Sequence, residues 1–246
     1  MLCSCSLFNG GDSKKETSET IDTVLATKLL TQAYLATKYS TNVHGKTTLT
    51  VNELSYNTNN EITKSPTEQC TINFYRIGEQ DNTIIHYSTI NTTAEGDIYG
   101  KRYWFFNHYI VWDRPVNQET LRKNFEYIKN EEEWMEIIND YDDYNPADFI
   151  LYVPFSEILE QQNVSLKGSK ITTKDNFYYK TQLSYTDEYD DALFFIIINI
   201  TIKQGLFYSV ECKMSSYNEQ IISKSFFIYD VKKIKLPDLS EYAPTD

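Results

Sequence analysis

The chain has 246 residues and a formal net charge of -12, with 41% hydrophobic and 15% aromatic residues. That hydrophobic share is too high for a disordered chain. The acidic balance, with no basic stripe, argues against nucleic-acid binding, which depends on Lys and Arg releasing counterions. Eight glycines and six prolines argue against a collagen-like, linker-rich or Gly-loop nucleotide-binding protein, and no window reaches the ~18 apolar residues of a membrane span.

Residues 1–17 are small, polar and charged and read as a tether ahead of one domain over 18–246. Ile21, Val24, Leu25, Leu29, Ala33 and Ala36 recur at helical spacing, with Ser18 as the cap and His44-Gly45 as the end. Strand signals follow: TTLTVNELSYN, TINFYRI, TIIHYSTINTT, IYGKRYWFF and, after a turn at Asn107-His108, YIVWD. Leu121, Phe125, Ile128, Met135 and Ile138 then predict a helix over 117–141, and a second helical piece covers PADFILYVPFSEILEQ. Strands return with KITTKDNFYYKTQLSYT, ALFFIIINITIK, a turn at Gln204-Gly205, LFYSVECKMSS and IISKSFFIYDVKKIKLP. The run Ala192–Ile198 lacks polar alternation, which predicts a central strand buried on both faces. Helices inserted between two meanders could cover one shared sheet.

The four cysteines fall into two groups. Cys70 and Cys212 lie in strand-like segments and read as two buried thiols, with a disulfide between them as the alternative. Leu2-Cys3-Ser4-Cys5 resembles a bacterial lipobox, with Cys5 as the lipidated residue and the following polar stretch as a spacer from the membrane. A signal peptide also carries a basic and an apolar region. Only four residues precede Cys5, so this reading expects those regions upstream of Met1. It places the domain on the extracytoplasmic face of a bacterial membrane, lipid-anchored.

Chemistry-bearing residues are sparse. His44, His86 and His108 have no nucleophile motif beside them, and no CxxC or Cys/His cluster suggests zinc. The acidic clusters Asp140, Asp142, Asp143, Asp148 and Asp187, Glu188, Asp190, Asp191 do not fit a calcium loop. Counted from Asp140, the sixth and twelfth places hold Asn145 and Leu151. They read as solvated loop charge, with a hydrolase as a weak third function. No cofactor or metal is expected.

The element order, the hairpin Gly100-Lys101-Arg102-Tyr103-Trp104-Phe105-Phe106-Asn107-His108-Tyr109 and the ending Leu236-Pro237-Asp238-Leu239-Ser240-Glu241-Tyr242 resemble the LolA/LppX/RseB-like superfamily of bacterial lipoproteins. The resemblance implies an α+β fold: a strongly curved antiparallel sheet, an incomplete half-barrel, with helices packed across its concave face. It further implies a non-catalytic protein that binds a lipid-like ligand between sheet and helices. Trp104, Phe106 and Trp112 on the aromatic hairpin, with Leu25, Leu29, Phe125 and Ile128 on the helical segments, would line that groove. The alternative function is recruitment of an extracytoplasmic protein partner. An open apolar cavity favours lipid; a filled one favours the partner.

Overall fold

A computed structural model describes residues 16–56, 58, 62–78, 83–94, 98–115, 121–142, 158, 163–189 and 192–245. Thirteen strands form one sheet in the order β1-β8-β9-β10-β11-β12-β2-β3-β4-β5-β6-β7-β13. They are β1 (Thr17–Ile21), β2 (Asn42–Tyr56), β3 (Ile62–Ile77), β4 (Ile84–Thr93), β5 (Ile98–Phe106), β6 (Tyr109–Pro115), β7 (Leu121–Tyr127), β8 (Ser165–Thr172), β9 (Phe177–Tyr189), β10 (Ala192–Lys203), β11 (Leu206–Ser215), β12 (Glu219–Tyr229) and β13 (Ala243–Pro244). Two α-helices stand among the described residues, α1 (Thr23–Lys38) and α2 (Glu131–Asp142). Two meanders, β2–β7 and β8–β12, join where β12 pairs with β2 from Glu219↔Glu53 to Tyr229↔Val43. Every strand pair is antiparallel except β13 with β7.

The expected α+β half-barrel is therefore overturned: the chain is mostly β, with helix a minor part of it. Three segments account for much of the difference. Residues 17–21 pair with β8 as β1, so the helix begins later, with Asp22 rather than Ser18 as its cap; the Asp22 carboxylate accepts from Leu25 N at 2.7 Å. The helix ends at Lys38, and His44-Gly45 lies inside β2. The expected helix over 117–141 is split. Leu121–Tyr127 pairs with β6 as β7, and α2 starts only after Asn130, whose side chain accepts from Glu132 N at 2.8 Å. The spacing of Leu121, Phe125 and Ile128 suits a helix, but the pairing partner offered by β6 outweighs local periodicity. Of the second helical piece, only Ile158 falls within the described residues.

Both expected two-residue turns form. Asn107 and His108 have φ 47° and 66°, and Gln204 and Gly205 have 53° and 76°, the left-handed pair that matches strand twist. Pro66 lies within β3, where the register slips against Val51/Asn52, a bulge where a missing N–H costs nothing in the ladder.

The helices pack on one side of the sheet, here the helix face. Leu30 and Ala33 of α1, Trp134 and Ile138 of α2, and Ile158 join Phe105, Leu183, Ile196, Ile198, Phe207 and Phe227 in one buried cluster. The end of α1 is fixed by hydrogen bonds. Thr37 Oγ1 accepts from Phe207 N at 3.0 Å, and the Tyr229 hydroxyl donates to Phe207 O at 2.6 Å. Gly168 lets the start of α1 approach β8, because a Cβ there would lie 2.6 Å from Ile21 and 3.0 Å from Ala26.

Candidate binding surfaces

Strand alternation sends every second side chain to the other side of the sheet, the open face. Its two halves differ. On β2–β7, the register aligns His44, Tyr75, His86, Trp104, Val111 and Phe125 in one row across six strands. The rings stack in sequence: His44 on Tyr75 at 3.8 Å, Tyr75 on His86 at 5.7 Å, His86 on Trp104 at 4.7 Å. The His86 ring nitrogen Nδ1 lies 2.9 Å from Tyr103 O. Burial holds both histidines below their ordinary pKa.

The chain after β12 crosses this row to reach the far edge at β7. Ile234, Leu239 and Tyr242 cover Trp104, Phe106, Val111 and Phe125. Thr245 N donates to Phe125 O at 2.9 Å, and Lys123 pairs with Glu241 at 2.7 Å. Under this strap Asp113 is 1% exposed and meets the Arg102 guanidinium at 2.5 Å, an ion pair by distance. Burial, then the neighbouring Asp113 carboxylate, push the Tyr242 phenol well above its usual range. Two bonds from Ser240 hold the exposed Asp238 carboxyl below its usual range and close the 3-10 turn Leu239–Glu241.

Among the described residues, no segment covers the half made by β8–β12. Phe226 and Ile228 of β12, an interior strand, are 54% and 58% exposed. Ile228 pairs with His44 and Phe226 with Lys46, so the exposed strip continues into the stacked row. Leu193 and Phe195 of β10 are also exposed, which corrects the expectation that this strand is buried on both faces. It lies between β9 and β11, but only Phe194, Ile196, Ile198, Ile200 and Ile202 are buried. Ile197 falls on the open side and is only partly buried.

The residues expected to line a ligand groove do not come together. Trp104, Phe106 and Phe125 lie on the open face under the strap. Leu29 and Ile128 belong to the main core on the helix face, and Leu25 is exposed on α1. Trp112 pairs with Tyr103 and has Arg114 over its ring at 5.9 Å. Cys5 lies outside the described residues, as do Asp143, Asp148, Asp190 and Asp191. What the sequence did not disclose is the open half of the sheet. Phe226 and Ile228 alternate with Ser225 and Phe227, so they read as part of an apolar run rather than as an exposed strip.

No described group is set up for covalent chemistry. Cys70 and Cys212 are free thiols; burial pushes Cys212 up to about 12 and, with Glu68 adding to it, raises Cys70. Both therefore lack thiolate at neutral pH. His108 sits at a hairpin tip, stacked on Trp134 at 5.2 Å with Nδ1 3.0 Å from Ile128 O, which docks that tip on α2. No group of three or more metal-ligating side chains occurs, and no helix is long and apolar enough to cross a membrane, among the described residues. No protein-family model matches the chain, and no curated protein matches it.

Proposed function

We propose that this protein is a lipid-anchored bacterial lipoprotein, tethered through Cys5 on the extracytoplasmic face, that recruits a protein partner without catalysis. The observation that carries this reading is the exposed pair Phe226 and Ile228 on an interior strand. Large apolar side chains grouped on a surface mark contact sites, and aromatic anchors supply most of the energy in such contacts. The space between helices and sheet supports the same choice. Among the described residues it is occupied by Leu30, Ala33, Trp134, Ile138, Ile158 and Phe207. The hollow across β8–β11 is rimmed by Lys, Gln, Asn and Ser side chains, which suit an acyl chain poorly, whereas a second at the end of the sheet adds Leu206, Phe207, Tyr208 and Tyr229.

Binding of a lipid-like ligand is the second reading. It rests on α1, where Val24, Leu25 and Leu35 remain exposed. Native mass spectrometry of the full chain, extracted from its own membrane in mild detergent, separates the two. The recruitment reading expects a protein adduct that the double substitution F226D/I228D removes while α1 and the fold stay intact. Acyl lipid retained by both forms, with no protein adduct, would overturn it in favour of lipid binding.

A further inference from the structure

Although the chain carries a net charge of -12, the open half of the sheet is basic. The register places Lys46, Lys167, Lys180, Lys203, Lys213 and Lys224 on this face of β2 and β8–β12. Among the described residues of those strands, Glu188 and Glu211 are the acids on the same face, and Glu211 is paired with Lys224 at 3.2 Å. The excess charge is thus concentrated where no strap covers the sheet.

Two hollows run through this region. One, of about 460 Å³, crosses β8 to β11 and is lined by Lys167, Ser169, Lys180, Gln182, Asn199 and Ser209, among others. The other, of about 440 Å³, is lined by Asn42, Lys203, Gln204, Tyr208, Tyr229 and Asp230, among others, so that its one lysine faces one acid. The two share no lining residue, but Lys203 and Tyr208 of the second stand next in line to Thr201 and Ser209 of the first along β10 and β11. The first alone spans three inter-strand steps, about 14 Å. The trough therefore suits an extended ligand rather than a single small one.

Its lining is specific in chemistry. The Gln182 amide donates to Asn199 Oδ1 at 2.9 Å, which orients both amides and leaves the Gln182 oxygen and the Asn199 NH2 group for other partners. Hydroxyls of Ser169, Thr201 and Ser209 stand beside them. The lysines are held by rings: Lys203 Nζ lies 3.4 Å from the Tyr208 centroid and 5.7 Å from that of Tyr178, and Lys180 Nζ 5.6 Å from Tyr178. A ring under an ammonium limits its range and lowers the ordering cost of binding.

We propose that the open face of β8–β11 binds an acidic polysaccharide, with Lys167, Lys180 and Lys203 pairing its anionic groups and Gln182, Asn199, Ser169 and Ser209 bonding its hydroxyls. Amides and hydroxyls in a row match the alternating donors and acceptors of sugar hydroxyls, and the lysines match carboxylate or phosphate substituents. This goes beyond the recruitment of a protein through Phe226 and Ile228, because the two surfaces use different side chains and can fail separately.

The test is calorimetric titration of the full chain with four probes: polygalacturonate, dextran, poly-L-glutamate and phosphatidylglycerol vesicles. Polygalacturonate should bind, weaken with added salt, and weaken at least tenfold in K167E/K180E and in Q182A/N199A. Thermal melts of both variants should match the unsubstituted chain, since all four side chains are at the surface. Dextran should not bind. F226D/I228D should leave polygalacturonate binding unchanged, which keeps this result apart from the partner reading. Equal affinity for poly-L-glutamate, binding to vesicles but not to polygalacturonate, or an unchanged affinity in Q182A/N199A would each overturn the assignment to a polysaccharide.

Discussion

Strands β3 to β7 and strands β8 to β12 present the same side of one sheet, yet their side chains meet different surroundings. On the first set, a row of stacked rings ends beneath Ile234, Leu239 and Tyr242 of the chain's own last segment. On the second, Phe226, Ile228 and six lysines with β2 face solvent. A sheet needs one face covered to be stable; the second face is covered only where the chain returns across it. The uncovered half is where a ligand can be bound without displacing protein, and its composition of rings and cations is that of a contact surface.

The contrast between the two sides of β10 should give the largest effect. Ile198→Ala removes a fully buried side chain and should cost ~2–5 kcal/mol in denaturant melts. Phe195→Ala, three residues away on the open side, should stay within ~0.5 kcal/mol. A large loss from Phe195 would mean that the open half is structurally covered after all.

The strap comes next. Tyr242→Ala should cost ~1–3 kcal/mol, because it uncovers Trp104 and leaves Asp113 with less protection from solvent. Acrylamide quenching should rise together with the loss of stability. Unaltered quenching would show that Tyr242 does not shield that ring.

A smaller effect concerns pH. Burial lowers the pKa of His86 and His44, so the unfolded chain binds their protons more readily than the folded one. Their contribution is complete above the ordinary histidine value of about 6.5 and falls as pH drops through that value toward the folded one. Arg102 and Lys46 nearby oppose protonation in the folded state, while Asp113 favours it near His86. His86→Gln should flatten the stability profile between about pH 7 and 5. A profile as steep as that of the unsubstituted chain would move the effect to other groups.

The smallest change is expected from Lys224→Ala. It breaks a half-exposed ion pair with Glu211 and should alter stability by no more than ~0.5 kcal/mol.

The strands of both meanders and their tight turns were legible because alternation, β-branched residues and turn chemistry act locally. Asn107-His108 and Gln204-Gly205 needed no distant contact to be read. The pairing of β1 with β8 and of β7 with β6 was not legible. Residues 17–21 and 121–127 have apolar spacings that a helix could also satisfy, and the deciding partners, β8 for the first and β6 for the second, are not visible within either stretch. For the binding surfaces, Trp104 and Phe106 were recognisable together because they share an aromatic strand, whereas Phe125 was expected on a helix. Their placement opposite Leu29 and Ile128 depends on which face each strand turns to the helices, and register alone fixes that. The lysine-rich face was hidden for the same reason: its lysines come from six strands, and no two of them are closer than ten residues in the sequence.

The central claim is that the uncovered half of the open face is the contact surface. Site-specific photo-crosslinking tests it most directly, with p-benzoylphenylalanine placed in turn at Phe226, at Ile228 and, as a control on the strap-covered half, at Tyr127, which is also half exposed. Irradiated in the cells that produce it, the protein should give one discrete protein adduct from positions 226 and 228 and none from 127. Adducts from position 127 alone, or none from 226 and 228, would contradict the account.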